Sequence, residues 1–235
     1  AHLKETCGLE AEGLIDGGAD AFLVETSQDL LQTKAAINGC KQAIVARGIR
    51  LPIFVEVTVE TTGTMLMGSE IGAALTALEP LGVDAIGLNC ATGPAEMSEH
   101  LRHLSKHSPV TIACMPNAGL PVLTADGAHY PLTPAELATA HEQFVREFGL
   151  GLIGGCCGTT PEHLAAVVER LGVSTRSARS TTGDSPAPVA QRGDARLPVV
   201  ERGAQRRVET DGVGVSTRSA RSTTGDAHPP VVERG

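Results

Sequence analysis

At 235 residues, 41% hydrophobic and 20% charged with mean hydropathy +0.02, the chain has the length and composition of one large domain, or one domain with a tail. No apolar run reaches the roughly 18 residues that cross a bilayer, and aromatics at 2% leave little for stacking bases or sugars. The formal charge of −8 is uneven: residues 172–235 carry ten Arg against seven acidic residues, a balance of +3, which leaves −11 on residues 1–171 and no basic stripe for nucleic acid.

The chain opens at Ala1 inside a helical pattern, with neither Met nor a signal-peptide profile. It reads as a fragment of a longer protein, with a cytoplasmic address and reduced thiols. The pattern over 2–15 predicts a helix that Gly17-Gly18 ends. AFLVET (21–26) is the first strand, and apolar residues at helical spacing follow over 28–47. PIFVEVTV (52–59) predicts a second strand and 69–81 a helix. DAIGLNC (84–90) is a strand before a helix over 94–107, and VTIACMPN (110–117) is the next strand. Thr133-Pro134-Ala135-Glu136 is a capping box with Pro at the first helical position, opening a helix to about Phe148. LGLIGGCCG (150–158) is the last strand, and Thr160-Pro161 starts a final helix ending near Gly172.

Short apolar runs bounded by turn residues fit strands buried on both faces. Their starts, near 21, 52, 84, 110 and 150, have the spacing of βα units, which makes this an α/β protein with a parallel sheet. Five units fit either a doubly wound sheet or part of a (β/α)8 barrel. Polar or reactive residues at several strand C-termini, Glu25, Cys90, Asn117 and Cys156-Cys157, favour the barrel, whose sites collect such residues.

After residue 171 the composition changes to Arg, Ser, Thr, Gly, Pro, Asp and Val with a single Leu, Leu197. Such a segment buries too little apolar surface to offset its conformational entropy, so 172–235 is expected to be a disordered tail. GVSTRSARSTTGD at 172–184 returns at 214–226, and PVVERG at 198–203 returns at 230–235. The unequal offsets point to an imperfect duplication, with a basic interaction arm as the functional alternative.

Six Cys stand at 7, 40, 90, 114, 156 and 157. Cys7, Cys40 and Cys114 fall inside helices or a strand and read as packing residues. Cys90, Cys156 and Cys157 fall at strand ends, and parallel strands bring such ends to one face. Three converging thiolates suit zinc, with a fourth position for water or substrate. Gly154, Gly155 and Gly158 permit the sharp backbone that two adjacent ligands require. Small buried hydrophobes and a vicinal disulfide remain alternatives. His100, His103 and His107 share a helix face and read as solvated.

GLNCATGPAEM (87–97) and GGCCGTTPEH (154–163) resemble the two zinc-ligand motifs of the homocysteine S-methyltransferase family. Within it, VTVETTGTMLMGSEIGAAL (57–75) and CMPNAGLP (114–121) are most similar to the homocysteine-binding barrel of the cobalamin-dependent branch. The resemblance covers 1–171. It implies a partial (β/α)8 barrel of about five C-terminal units. It also implies zinc on Cys90, Cys156 and Cys157, with the homocysteine sulfur as fourth ligand. The methyl donor would be methylcobalamin recharged from methyltetrahydrofolate, on cobalamin- and folate-binding modules that this chain does not show. Glu25 matches the family's glutamate for the substrate amino group; an ordinary helix-start acid is its alternative. Asn117 offers either an amide to the substrate or a turn before Ala118-Gly119. Glu56 and Glu60 read as structural or solvated. The family's opening Asp-Gly-Ala-type motif is absent, so about three N-terminal units are expected to be missing and the chain alone inactive. The competing functions are a non-catalytic zinc-binding remnant tethered by its tail, a methyltransferase using S-methylmethionine or betaine, and a redox protein working through Cys156-Cys157.

Overall fold

The computed structural model describes residues 2–125 and 127–172, together with the backbone of 199–200. In chain order the elements are α1 (His2–Asp16), β1 (Phe22–Ser27), α2 (Leu30–Arg47), β2 (Ile53–Val57), α3 (Ile71–Leu78), β3 (Ala85–Asn89), α4 (Pro94–His107), β4 (Thr111–Met115), β5 (Val122–Thr124), β6 (Gly127–His129), α5 (Pro134–Phe148), β7 (Leu152–Ile153), α6 (Pro161–Leu171) and β8 (Val199–Val200).

The strands pair in parallel in the order β1-β2-β3-β4-β7-β8, and β5 with β6 forms a separate antiparallel hairpin. From β1 to β7 each helical crossover moves one strand in the same direction. A doubly wound sheet reverses direction, and no such reversal occurs from β1 to β7. Right-handed crossovers then place the helices on one face. In agreement, α1 packs on α2, and contacts run on through α3, α4, α5 and α6. Burial follows position in the sheet. All five residues of central β3 are buried, whereas edge strand β1 leaves Glu25 and Thr26 exposed. The core runs between sheet and helices through Ile37, Val55, Leu78, Ile86, Leu101, Leu137 and Ile153, all fully buried.

Local chemistry sets the element limits. Asp29 caps α2 by accepting the Gln32 N–H at 2.8 Å, so the helix starts two residues after the expected 28. The expected helix over 69–81 ends at Leu78 and continues as a 3₁₀ turn, Glu79–Leu81, because Pro80 has no N–H for the α ladder. The Thr133 capping box is present: Thr133 N–H donates to Glu136 Oε2 at 2.8 Å and Glu136 N–H to Thr133 Oγ1 at 3.4 Å. The β5–β6 hairpin falls in a stretch whose sequence carries no strand period, and all its described residues are exposed.

The tail expected over 172–235 lies outside the described residues except for Gly172, the C-cap of α6, and β8. There Val199 and Val200 pair with Leu152 and Ile153 along the outer edge of β7. Two adjacent β-branched residues are the tail's best strand formers, and an edge strand offers them unsatisfied backbone groups.

Candidate metal centre

β4 lies between β3 and β7, and that order builds the site. Cys90 follows β3 and Cys156-Cys157 follow β7, while the segment leaving β4 supports both. On one side, Cys90 N–H donates to Met115 O at 3.2 Å and Asn117 N–H to Thr92 O at 3.1 Å. On the other, Cys156 N–H donates to Pro116 O at 2.8 Å and Ala118 N–H to Cys157 O at 2.9 Å. The Asn117 side chain completes the frame by accepting the Cys157 N–H at 3.0 Å.

Cys90 and Ala91 both adopt left-handed backbone, with φ of 62° and 58°. Residues with a Cβ enter that region at a cost, so the surrounding hydrogen bonds impose the turn. It brings Cys90 Sγ to 3.7 Å from Cys157 Sγ, and Cys157 Sγ lies 4.0 Å from Cys156 Sγ. All three sulfurs lie within 4.8 Å of one another, in the one group of three or more metal-capable side chains among the described residues. Tetrahedral zinc with Zn–S bonds near 2.3 Å separates its sulfurs by about 3.8 Å, close to the 3.7 and 4.0 Å separations of Cys157 from Cys90 and Cys156. Cys90 and Cys156 are half-buried and Cys157 is exposed, leaving the cluster open on one side.

The electrostatics also favour a cation. Burial, then the neighbouring Cys90 and Cys157, push the Cys156 thiol up to about 12. Burial likewise raises Cys90. Cys90 and Cys156 thus resist ionisation unless positive charge joins them.

Glu25 lies in a β-bulge. Val24 pairs with Val55 and Ser27 with Val57, so Glu25 and Thr26 stand opposite the single residue Glu56, and Thr26 has φ of 51°. Bulges re-aim side chains beside functional sites, and Glu25 is exposed at the same strand end as the thiols. Asn117 is buried, with its side-chain oxygen already committed to Cys157. Glu56 is fully buried inside β2, so of its two expected readings the solvated one fails.

Cys114 is fully buried and Cys40 nearly so, while Cys7 is half-buried in α1; burial raises the Cys40 thiol to about 11 and pushes Cys114 well above its ordinary value. His103 and His107 rings stack at 4.5 Å on α4 and take no part in the cluster.

Sequence reasoning missed four residues. Asn89 sits beside Cys90 but reads as a strand-end turn former. Thr26 looks like any strand residue. Tyr130 follows the hairpin that the sequence does not announce. Its phenol is raised, first by burial and then by the neighbouring Cys157. Gly158, at φ of 78°, leaves room for that ring, and a Cβ there would overlap it. His141, fully buried on α5, has Nε2 2.7 Å from Gly154 O at the start of the Cys156-Cys157 loop. Its helical position gives no signal in the sequence.

A family model for homocysteine S-methyltransferase matches residues 1–171. The chain is 67% identical over 168 residues to methionine synthase of Mycobacterium leprae (strain TN), covering 70% of this chain. It is 64% identical over 182 residues to methionine synthase of Mycobacterium tuberculosis (strain ATCC 25618 / H37Rv), covering 77%. It spans only 14% and 15% of the length of those relatives. Among solved structures, the oxidized form of homocysteine methyltransferase MmuM from Escherichia coli aligns with TM-score 0.54 and 25% identity, over 71% of this chain and 52% of that one. The metallated form aligns with TM-score 0.54 at 24% identity over the same shares, a likeness of fold.

Proposed function

The chain belongs to the homocysteine S-methyltransferase family, and we propose that residues 1–171 are the zinc- and homocysteine-binding part of a methionine synthase, folded as part of a (β/α)8 barrel. The observation that carries this reading is the meeting of three thiols, from the ends of two strands, within 4.8 Å. Cys90, Cys156 and Cys157 are the residues that would hold zinc. When bound, zinc supplies the positive charge that keeps an incoming thiol, ordinarily near pKa 8.5, ionised at neutral pH as a nucleophile.

The chain's own residues have separate tasks. The three cysteines supply negative charge and leave one side open to the substrate sulfur. Glu25, presented by the β1 bulge, binds the homocysteine ammonium group, a charge-assisted contact. Asn117 holds Cys157 through its oxygen, and its amide nitrogen is the group that would meet the substrate. The methyl group would come from methylcobalamin, recharged from methyltetrahydrofolate on cobalamin- and folate-binding modules. Zinc binding does not require the residues after Gly172.

Equilibrium dialysis of the zinc-loaded protein against labelled homocysteine tests this. One homocysteine per zinc, lost in Cys90→Ala, is the expected result. Zinc binding without homocysteine uptake would leave a closed structural site, and a redox-active Cys156-Cys157 pair insensitive to chelator would replace the proposal.

A further inference from the structure

We infer that Asn89 is a positioning residue whose single amide sets both Cys156 and the β1 bulge that carries Glu25. The inference deepens the metal-site reading above and rests on it.

The amide's orientation follows from its partners. Its Oδ1 lies 2.8 Å from the Thr26 backbone nitrogen. A backbone N–H can only donate, so the oxygen must face Thr26 and the NH2 group must face the other partners. Nδ2 then donates one hydrogen to Thr26 Oγ1 at 2.9 Å and the other to Cys156 Sγ at 3.8 Å. Every hydrogen of the amide is used. Asn89 is fully buried, so water does not compete for these bonds.

Two consequences follow. Thr26 is β-branched, and its φ of 51° is one such residues avoid, yet two bonds from one side chain hold it there. The N–H toward Cys156 becomes charge-assisted once that sulfur is a thiolate. The substrate-side carboxylate and one sulfur of the cluster are therefore set by a shared group, although Thr26 and Asn89 are 63 residues apart.

Asn89→Asp tests the link. It retains an oxygen for the Thr26 N–H but turns an acceptor toward Cys156. Outer-shell partners of metal ligands typically change metal affinity 10–100-fold, so a loss of about that size is expected. The sulfur-to-metal charge-transfer band of the cobalt(II)-loaded protein should shift as well, which lowered occupancy alone would not cause. Unchanged affinity with an unshifted band would overturn the inference.

A measurement on the unsubstituted protein covers a variant that fails to fold. After loading with cadmium-113, one Asn89 side-chain amide proton should show scalar coupling to the metal through Cys156. Cadmium ligated by three sulfurs without that coupling overturns the role of Asn89 alone. A protein in which sulfur does not hold cadmium overturns the metal-site reading, and the role of Asn89 with it.

Discussion

The sulfurs of Cys90 and Cys157 lie 3.7 Å apart although 67 residues separate them. β4 makes this possible: it is the strand between the two that end in these cysteines, and its exit segment bonds to both loops. Removing either thiol should therefore remove the metal rather than weaken a surface contact. Cys90→Ala and Cys156→Ala should each lower zinc affinity by more than about 100-fold, because ligand loss exceeds the 10–100-fold effect of outer-shell changes. Competition with a chromophoric chelator measures this, and helical ellipticity checks that the fold survives.

Glu25 is exposed and is not among the three clustered metal-capable side chains, so its role should separate cleanly from theirs. Glu25→Gln should leave zinc affinity unchanged and weaken homocysteine binding by about tenfold, the loss of one charge-assisted contact partly screened by water. Calorimetry on the zinc-loaded protein reads both quantities. A parallel fall in zinc affinity would place Glu25 in the metal site instead.

The sheet and its helices were legible in the sequence because each rests on local signals. Thr133-Pro134 and Glu136 announce α5, and short β-branched runs announce β1 to β4 and β7. The cluster was legible because strand ends of a parallel sheet share a face, so Cys90 and Cys156-Cys157 had to approach. What holds it was not. Asn117 was read as a turn former or substrate contact, and nothing local reveals that its oxygen takes the Cys157 N–H. The β1 bulge and left-handed Thr26 depend on Asn89, a partner 63 residues away. Tyr130 packs over Gly158, beside Cys157, from a hairpin with no apolar period, and Val199-Val200 pair along the edge that β7 leaves.

His141 gives the fold a pH dependence with a definite sign. Burial lowers its pKa from 6.5 to about 4, against a hydrogen bond to Gly154 O that favours the charged form. Its Nδ1 is buried without a hydrogen-bond partner, so a proton there would be unsupported. The unfolded chain takes up that proton near pH 6.5 and the folded chain only near 4. Stability is therefore full above pH 6.5 and falls between 6.5 and 4, by up to about 3 kcal/mol. Urea midpoints across this range should show the fall, and His141→Gln should flatten it.

The chain cut after Gly172 should keep its zinc. The cysteines, Glu25, Asn89 and Asn117 all precede the cut, and β8 adds only a two-residue ladder to β7. Metal analysis after gel filtration checks this. Zinc lost on truncation would assign the later residues a part in holding the β7 loop.

The most direct test of the central claim is X-ray absorption at the zinc edge, before and after addition of selenohomocysteine. Three sulfurs near 2.3 Å are expected in the zinc-loaded protein, with a zinc–selenium vector appearing once the substrate analogue is added. A first shell of nitrogen and oxygen, or a three-sulfur shell that never acquires selenium, would contradict the account.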